Sequence, residues 1–158
     1  MFFIISKGRP ENVGPMQKHF EGSGIWPTWI VGRGEADAYK EKGARHAVAG
    51  GGLCASRNLA IEIAKSKNCV CVEMSDDLQF FQIIHHDGKY VKLSQEDANT
   101  RSKQFVWASP VSAARYIEVK MRSLKARLGG AYVNVNKGYA MMCPPVSTSN
   151  FCVGDFLV

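Results

Sequence analysis

The sequence predicts an α/β fold: a mixed, mostly parallel sheet flanked by helices. Short apolar runs alternate with helix-patterned stretches through the first half of the chain. Polar turns, several with glycine, follow those runs. The chain has 158 residues, 46% hydrophobic and 22% charged, which fits one folded domain and excludes a disordered or collagen-like chain. No apolar run approaches the ~18 residues of a membrane-spanning helix. The opening Met1-Phe2-Phe3-Ile4-Ile5 has no basic region before it and is too short for a signal-peptide core, so it reads as a first buried strand.

Residues 2–5 form that strand. Residues 11–20 suit a short helix, with Pro15 tolerated near its start. Residues 28–31 are a second strand, and residues 35–42 a polar helix stopped by Gly43. Residues 53–67 form a packed helix, because Leu59 and Ile63 lie one turn apart beside Ala60 and Ala64. Residues 69–74 are a Val-rich central strand. Residues 80–84 and 90–93 flank His85-His86-Asp87-Gly88, a hairpin signal that follows the acid pair Asp76-Asp77. Adjacent strand side chains point to opposite faces, so the two histidines read as a hairpin tip rather than as metal ligands. Residues 96–104 are a polar surface loop. Ser109-Pro110 caps a helix whose apolar positions run from Val111 to Leu128, ended by Gly129-Gly130. Its outward side carries Arg115, Lys120, Arg122, Lys125 and Arg127. Short strands are expected at 139–143 and 151–153. Trp26, Trp29 and Trp107 read as packing anchors.

The chain carries 20 Lys and Arg against 14 Asp and Glu, a net charge of +6, which suits an anionic partner or simple solubility. Its five cysteines, Cys54, Cys69, Cys71, Cys143 and Cys152, include no C-x-x-C pair. Cys69 and Cys71, which alternate with Val70 and Val72 in an apolar run, read as buried thiols in a reducing compartment, hence a cytoplasmic protein.

Chemistry concentrates at the predicted strand ends. Asp76 and Asp77 follow an apolar strand, at the edge where open α/β sheets bind ligands. Two adjacent acids there suit a hard divalent cation completed by phosphate oxygens, or else a solvated turn. Gly50-Gly51-Gly52 precedes a helix that carries Arg57 and Asn58. Such a turn can present amides to an anion, and Arg57 can add a bidentate phosphate contact. No Gly-Lys-Ser/Thr closes it, so it is not a Walker loop. Gly32-Arg33-Gly34-Glu35 lacks the distal acid of a dinucleotide fingerprint, which leaves Glu35 as a candidate acceptor for ribose or base. Lys7 and Arg9 flank Gly8 after the first strand, suiting phosphate contact or a basic surface turn.

Taken in order, Ser6-Lys7-Gly8-Arg9, Val31-Gly32-x-Gly34-Glu35, Gly51-Gly52-Leu53-Cys54-Ala55-x-Arg57-Asn58, Ser75-Asp76-Asp77-Leu78 and Gly154-Asp155-Phe156 are ordered pieces that span nearly the whole chain. Together they resemble nucleotide-sugar glycosyltransferases of the GT-A fold. They look most like the TET/JBP-associated glycosyltransferases of phages, DNA viruses and kinetoplastids, which are linked to glucosylating hydroxymethylated pyrimidines in DNA. The resemblance implies a metal-dependent hexosyltransferase moving sugar from a UDP-sugar to a hydroxyl on modified DNA or a glycan. It implies that Asp77, with Asp76, binds Mn2+ or Mg2+ and the sugar diphosphate. It places Ser6, Arg9 and Glu35 on the uridine side, and Arg57 and Asn58 on donor phosphate or sugar. For a viral protein it implies host cytoplasm or nucleus.

Two departures stand out. Ser75 replaces the first acid of the Asp-x-Asp-type motif and cannot act as a carboxylate ligand. Domains of this fold usually continue beyond a segment like 154–156, so residues 1–158 are expected to be a single domain lacking the C-terminal part of a full-length enzyme. Asp155, the one late carboxylate, becomes the candidate catalytic base by default. Two other readings stay open: a non-catalytic nucleotide- or nucleic-acid-binding module on the same fold, and a nucleotidyltransferase preferring a nucleoside triphosphate. An exposed sheet edge would also allow a homodimer.

Overall fold

The structure is a computed structural model that describes residues 1–79, 81–84, 105–131 and 156–158. Four parallel strands build most of the main sheet: β1 (Phe2–Ile5), β2 (Thr28–Val31), β3 (His46–Ala49) and β4 (Val72–Ser75). A two-residue β7 (Phe156–Leu157) joins antiparallel to β4, giving the order β3-β2-β1-β4-β7. The expected mixed, mostly parallel α/β architecture is present, and its strand order is compatible with a Rossmann-like arrangement. A separate antiparallel pair joins β5 (Phe81–Ile84) to β6 (Phe105–Ala108).

The pleat sorts the side chains into two cores. On one face, Ile4, Trp29, Val31, Val72, Met74 and Phe156 pack with Val13 and Met16 of α1 (Val13–Lys18) and Tyr39 of α2 (Ala36–Glu41). Val111 and Ala114 of α4 (Pro110–Leu124) close the same core. On the other face, Phe3 and Ile30 meet Ala60 and Ala64 of α3 (Leu53–Ser66). Small alanines on α3 let the helix lie close to the strands. Trp29, Tyr39, Phe3 and Phe156 are among the largest fully buried side chains, and each large apolar side chain buried contributes about 1.5–3 kcal/mol.

Several boundaries differ from the sequence reading. The helix expected at 11–20 is a 3-10 turn at Pro10–Asn12 followed by the six residues of α1. Strand β4 starts at Val72 rather than residue 69, because Cys69 N–H still bonds the Ala64 carbonyl of α3. Cys69 is accordingly exposed and Cys71 half-buried, so the buried-thiol expectation fails for Cys69; Cys54, at the start of α3 (Leu53–Ser66), is exposed as well. Strand β3 went unseen because His-Ala-Val-Ala has little β propensity, and pairing with β2 decides it. Among the described residues the partner of 81–84 is β6, an unanticipated strand; the expected partner 90–93 lies outside them. The predicted loop 96–104, the strands 139–143 and 151–153, the histidine tip, Cys143, Cys152 and Asp155 also lie outside the described residues.

Helix α4 opens as expected, with reciprocal hydrogen bonds between Ser109 and Ser112 at its cap. It ends at Leu124, where Lys125 turns left-handed (φ 54°), so Leu124 and Leu128 are exposed rather than core. Gly129 then exchanges two backbone hydrogen bonds with Val158. A side chain there would meet Ile117 and Met121 at 2.6–2.9 Å. Trp26 is half-exposed under the Arg45 guanidinium, and only Trp29 has the core role expected of both. No helix among the described residues is long and apolar enough to cross a membrane.

Candidate functional site

The chain runs from β1 outward to β2 and β3, then returns to place β4 on the other side of β1. This reversal makes the carboxyl ends of β1 and β4 the topological switch point, the crevice where α/β sheets take ligands. The register sets Ile5 beside Ser75. Ser6 and Asp76, the next residues on each strand, therefore meet directly.

Asp76 is the hub. Its side chain is fully buried. Oδ2 accepts from the Ser6 hydroxyl and, at 3.4 Å, from Asn12 Nδ2. Oδ1 takes the Arg9 guanidinium in a close ion pair. The same guanidinium reaches Asp77 Oδ2 at 3.3 Å, so one cation bridges both acids. Asp77 is exposed, and its Oδ1 accepts from Ser75 Oγ at 2.6 Å. That hydroxyl, with Arg9 behind it, holds the Asp77 carboxyl below the usual range against a smaller opposing effect of burial. Ser75 thus orients an acid instead of being one.

Helix α2 and its N-cap support the site from the side. The buried Tyr39 hydroxyl lies 2.6 Å from Ser6 Oγ and accepts from Arg9 N–H at 3.0 Å. Glu35 Oε2 accepts from Gly8 N–H at 2.9 Å and Gly32 N–H at 3.1 Å, strapping the turns after β1 and β2 together. A side chain at Gly32 would collide with that carboxylate. Below, His19 Nε2 lies 3.0 Å from the Leu78 carbonyl and ties α1 to the turn after Asp77.

The structure therefore gathers Ser6, Arg9, Glu35, Asp76 and Asp77 into one network, with exposed Lys7 beside it on the β1 turn. It does not bring Arg57 and Asn58 into that network. Asn58 is exposed. Arg57 turns to the α3 face of the sheet, 3.9 Å from Glu73 Oε2 in the middle of β4, and its buried Nε has no hydrogen-bond partner. Burial pushes the Glu73 carboxyl up, with Arg57 and the Cys71 thiol acting against it. Burial and the neighbouring Glu73 charge push Cys71 up to about 12, which leaves it an unreactive thiol. The glycine turn is also partly spent internally: Gly51 N–H donates to Ser56 Oγ at 3.2 Å, and Gly50 has no room for a side chain between Ser56 and Ile30.

Tyr39, Asn12 and Glu73 were missed by the sequence reading. The spacing of Glu35 and Tyr39, four apart at the start of one helix, was the available signal for Tyr39. For Glu73 it was a lone acid between apolar strand residues. Among the described residues no group of three His, Cys, Asp or Glu side chains converges on one point, so a metal here would rest on two carboxylates and on ligand oxygens. Asp76 Oδ1 and Asp77 Oδ2 already converge on one cation, the guanidinium, and that donor set suits an oxygen-seeking divalent ion. No protein-family model, curated protein or solved structure matches this chain.

Proposed function

We propose that this chain is a metal-dependent glycosyltransferase of the GT-A type, or the donor-binding portion of one, taking a UDP-sugar and passing the sugar to a hydroxyl acceptor on modified DNA or a glycan. The observation that carries this reading is the meeting of an acid pair with a basic turn at the switch point of a mostly parallel sheet. In this reading Asp76 and Asp77 hold Mn2+ or Mg2+, which would supply charge neutralisation at the diphosphate leaving group. Arg9 and Lys7 approach the phosphates, and Ser6 and Glu35 border the nucleoside. Asp155 is the base proposed to take the acceptor proton.

Melting curves test it, measured with Mn2+ and UDP-glucose, UDP-galactose, UDP or ATP. A ligand at 100 times its Kd stabilises the fold by about 2.7 kcal/mol. A Mn2+-dependent shift with UDP species, lost in Asp77→Ala, is expected. A shift with ATP alone would favour nucleotidyl transfer, and no shift with any nucleotide would overturn the donor site. One observation favours a second reading. Both Asp76 oxygens already have protein partners, which suits a nucleotide-binding module without turnover. UDP-sugar hydrolysis by the chain separates the two.

A further inference from the structure

The guanidinium of Arg9 stands where the acid pair would hold a metal. It touches Asp76 Oδ1 and, at 3.3 Å, Asp77 Oδ2. With two carboxylates and one guanidinium, this small cluster carries a net charge of −1. A divalent cation in the same place would bring the two acids to neutrality and release Arg9. The site can thus accept either cation, but not both at the same oxygens.

Four features make the arginine the movable partner. Its backbone is pinned separately, by Arg9 N–H to Tyr39 and by Gly8 N–H to Glu35. The side chain can therefore leave without unfolding the turn. That side chain is 44% exposed, whereas the Asp76 side chain is 0% exposed. When the guanidinium leaves, Asp76 Oδ2 still accepts from Ser6 and Asn12, so the buried acid keeps two donors. The outer arm, to exposed Asp77, is an ion pair screened by solvent on both sides and is easily exchanged. A freed guanidinium beside a bound cation can fork onto phosphate oxygens.

We propose that Arg9 is an exchangeable counter-ion: it bridges Asp76 and Asp77 until a divalent cation takes the pair, and then turns to the phosphate of the incoming ligand. The inference rests on the donor reading above for the identity of that ligand. It makes cation and phosphate binding cooperative, since each removes what obstructs the other.

Mn2+ titrations followed by electron paramagnetic resonance read this directly, without turnover. For the wild-type chain, UDP should tighten Mn2+ binding by roughly 5–150-fold. Arg9→Ala and Arg9→Gln should each bind Mn2+ alone roughly tenfold more tightly than wild type, with the enhancement by UDP largely lost. Unchanged or weaker Mn2+ binding in variants that still melt cooperatively would overturn the exchange. So would failure of both variants to fold, because Arg9 would then be a fixed staple. If wild type binds Mn2+ but UDP has no effect, the donor reading fails. The Mn2+ affinities of the two variants in the absence of nucleotide still decide whether Arg9 competes with the cation.

Discussion

Two arginine–carboxylate pairs flank the same strand, and they are built in opposite ways. At the carboxyl end of β4, Asp76 is fully buried yet receives Ser6, Asn12 and Arg9. Three residues earlier, on the α3 face, Glu73 is almost as buried but meets Arg57 only at 3.9 Å and the Cys71 thiol only at 3.9 Å. The cost of burying a charge is offset by short hydrogen bonds more than by the mere presence of an opposite charge. Asp76 therefore anchors its surroundings. Glu73 is a charge its surroundings tolerate poorly, and its raised pKa records that.

The contrast breaks most sharply at Asp76. Asp76→Ala removes the common acceptor of three donors and leaves Arg9 without its closest partner. A loss of about 3–5 kcal/mol is expected in urea unfolding. On the other face, Arg57→Ala should cost less, about 1–3 kcal/mol, by leaving Glu73 without its cation. Replacing the pair together, Arg57→Met with Glu73→Leu, should be neutral or stabilising. A double variant as damaged as Asp76→Ala would erase the distinction.

pH sharpens the comparison with a smaller effect. The folded chain holds the Glu73 proton more tightly than the unfolded chain does. That contribution to stability is fully present below the ordinary value of about 4.3. It is lost as pH rises through the raised folded value. Glu73→Gln should therefore gain on wild type as pH rises from about 4 to 8. Asp77 has the opposite sign. Its depressed folded pKa adds stability above about pH 3.9 that disappears as pH falls through the folded value. Asp77→Asn should show the smallest change in stability at pH 7, under about 1 kcal/mol because the group is exposed. It should still abolish the Mn2+-dependent response to UDP.

Much of this was legible in the residues themselves. The boundaries of β1 and β2, and the capped start of α4, followed from apolar runs and from Ser109-Pro110. The position of Asp76 and Asp77 after an inner strand was equally plain, because the strand that follows α3 in the strand–helix alternation ends at the edge where such sheets take ligands. The partners were not legible. Nothing local says that Arg9 spans both acids or that Arg57 turns away from them. Those facts depend on the register of β1 with β4 and on which face of α3 meets the sheet. Gly50-Gly51-Gly52 looked like an anion cradle. Its glycines are at least partly explained by close packing against Ser56 and Ile30.

The short β7 has a consequence for how the site comes together. Strands β1 to β4 come from the first 75 residues, whereas the partner of β4's outer edge arrives with residues 156 and 157. Until that late pairing forms, the strand leading to Asp76 carries an open row of backbone donors and acceptors. Opening of β7 alone is then a route by which β4 exchanges its amide hydrogens without global unfolding. A ligand that joins the β1 turn to Asp77 would hold β4 against β1 from above, but would leave that outer seam free. Protection from exchange should accordingly rise at Ser6 and Asp76 on ligand binding and stay nearly unchanged at Leu157.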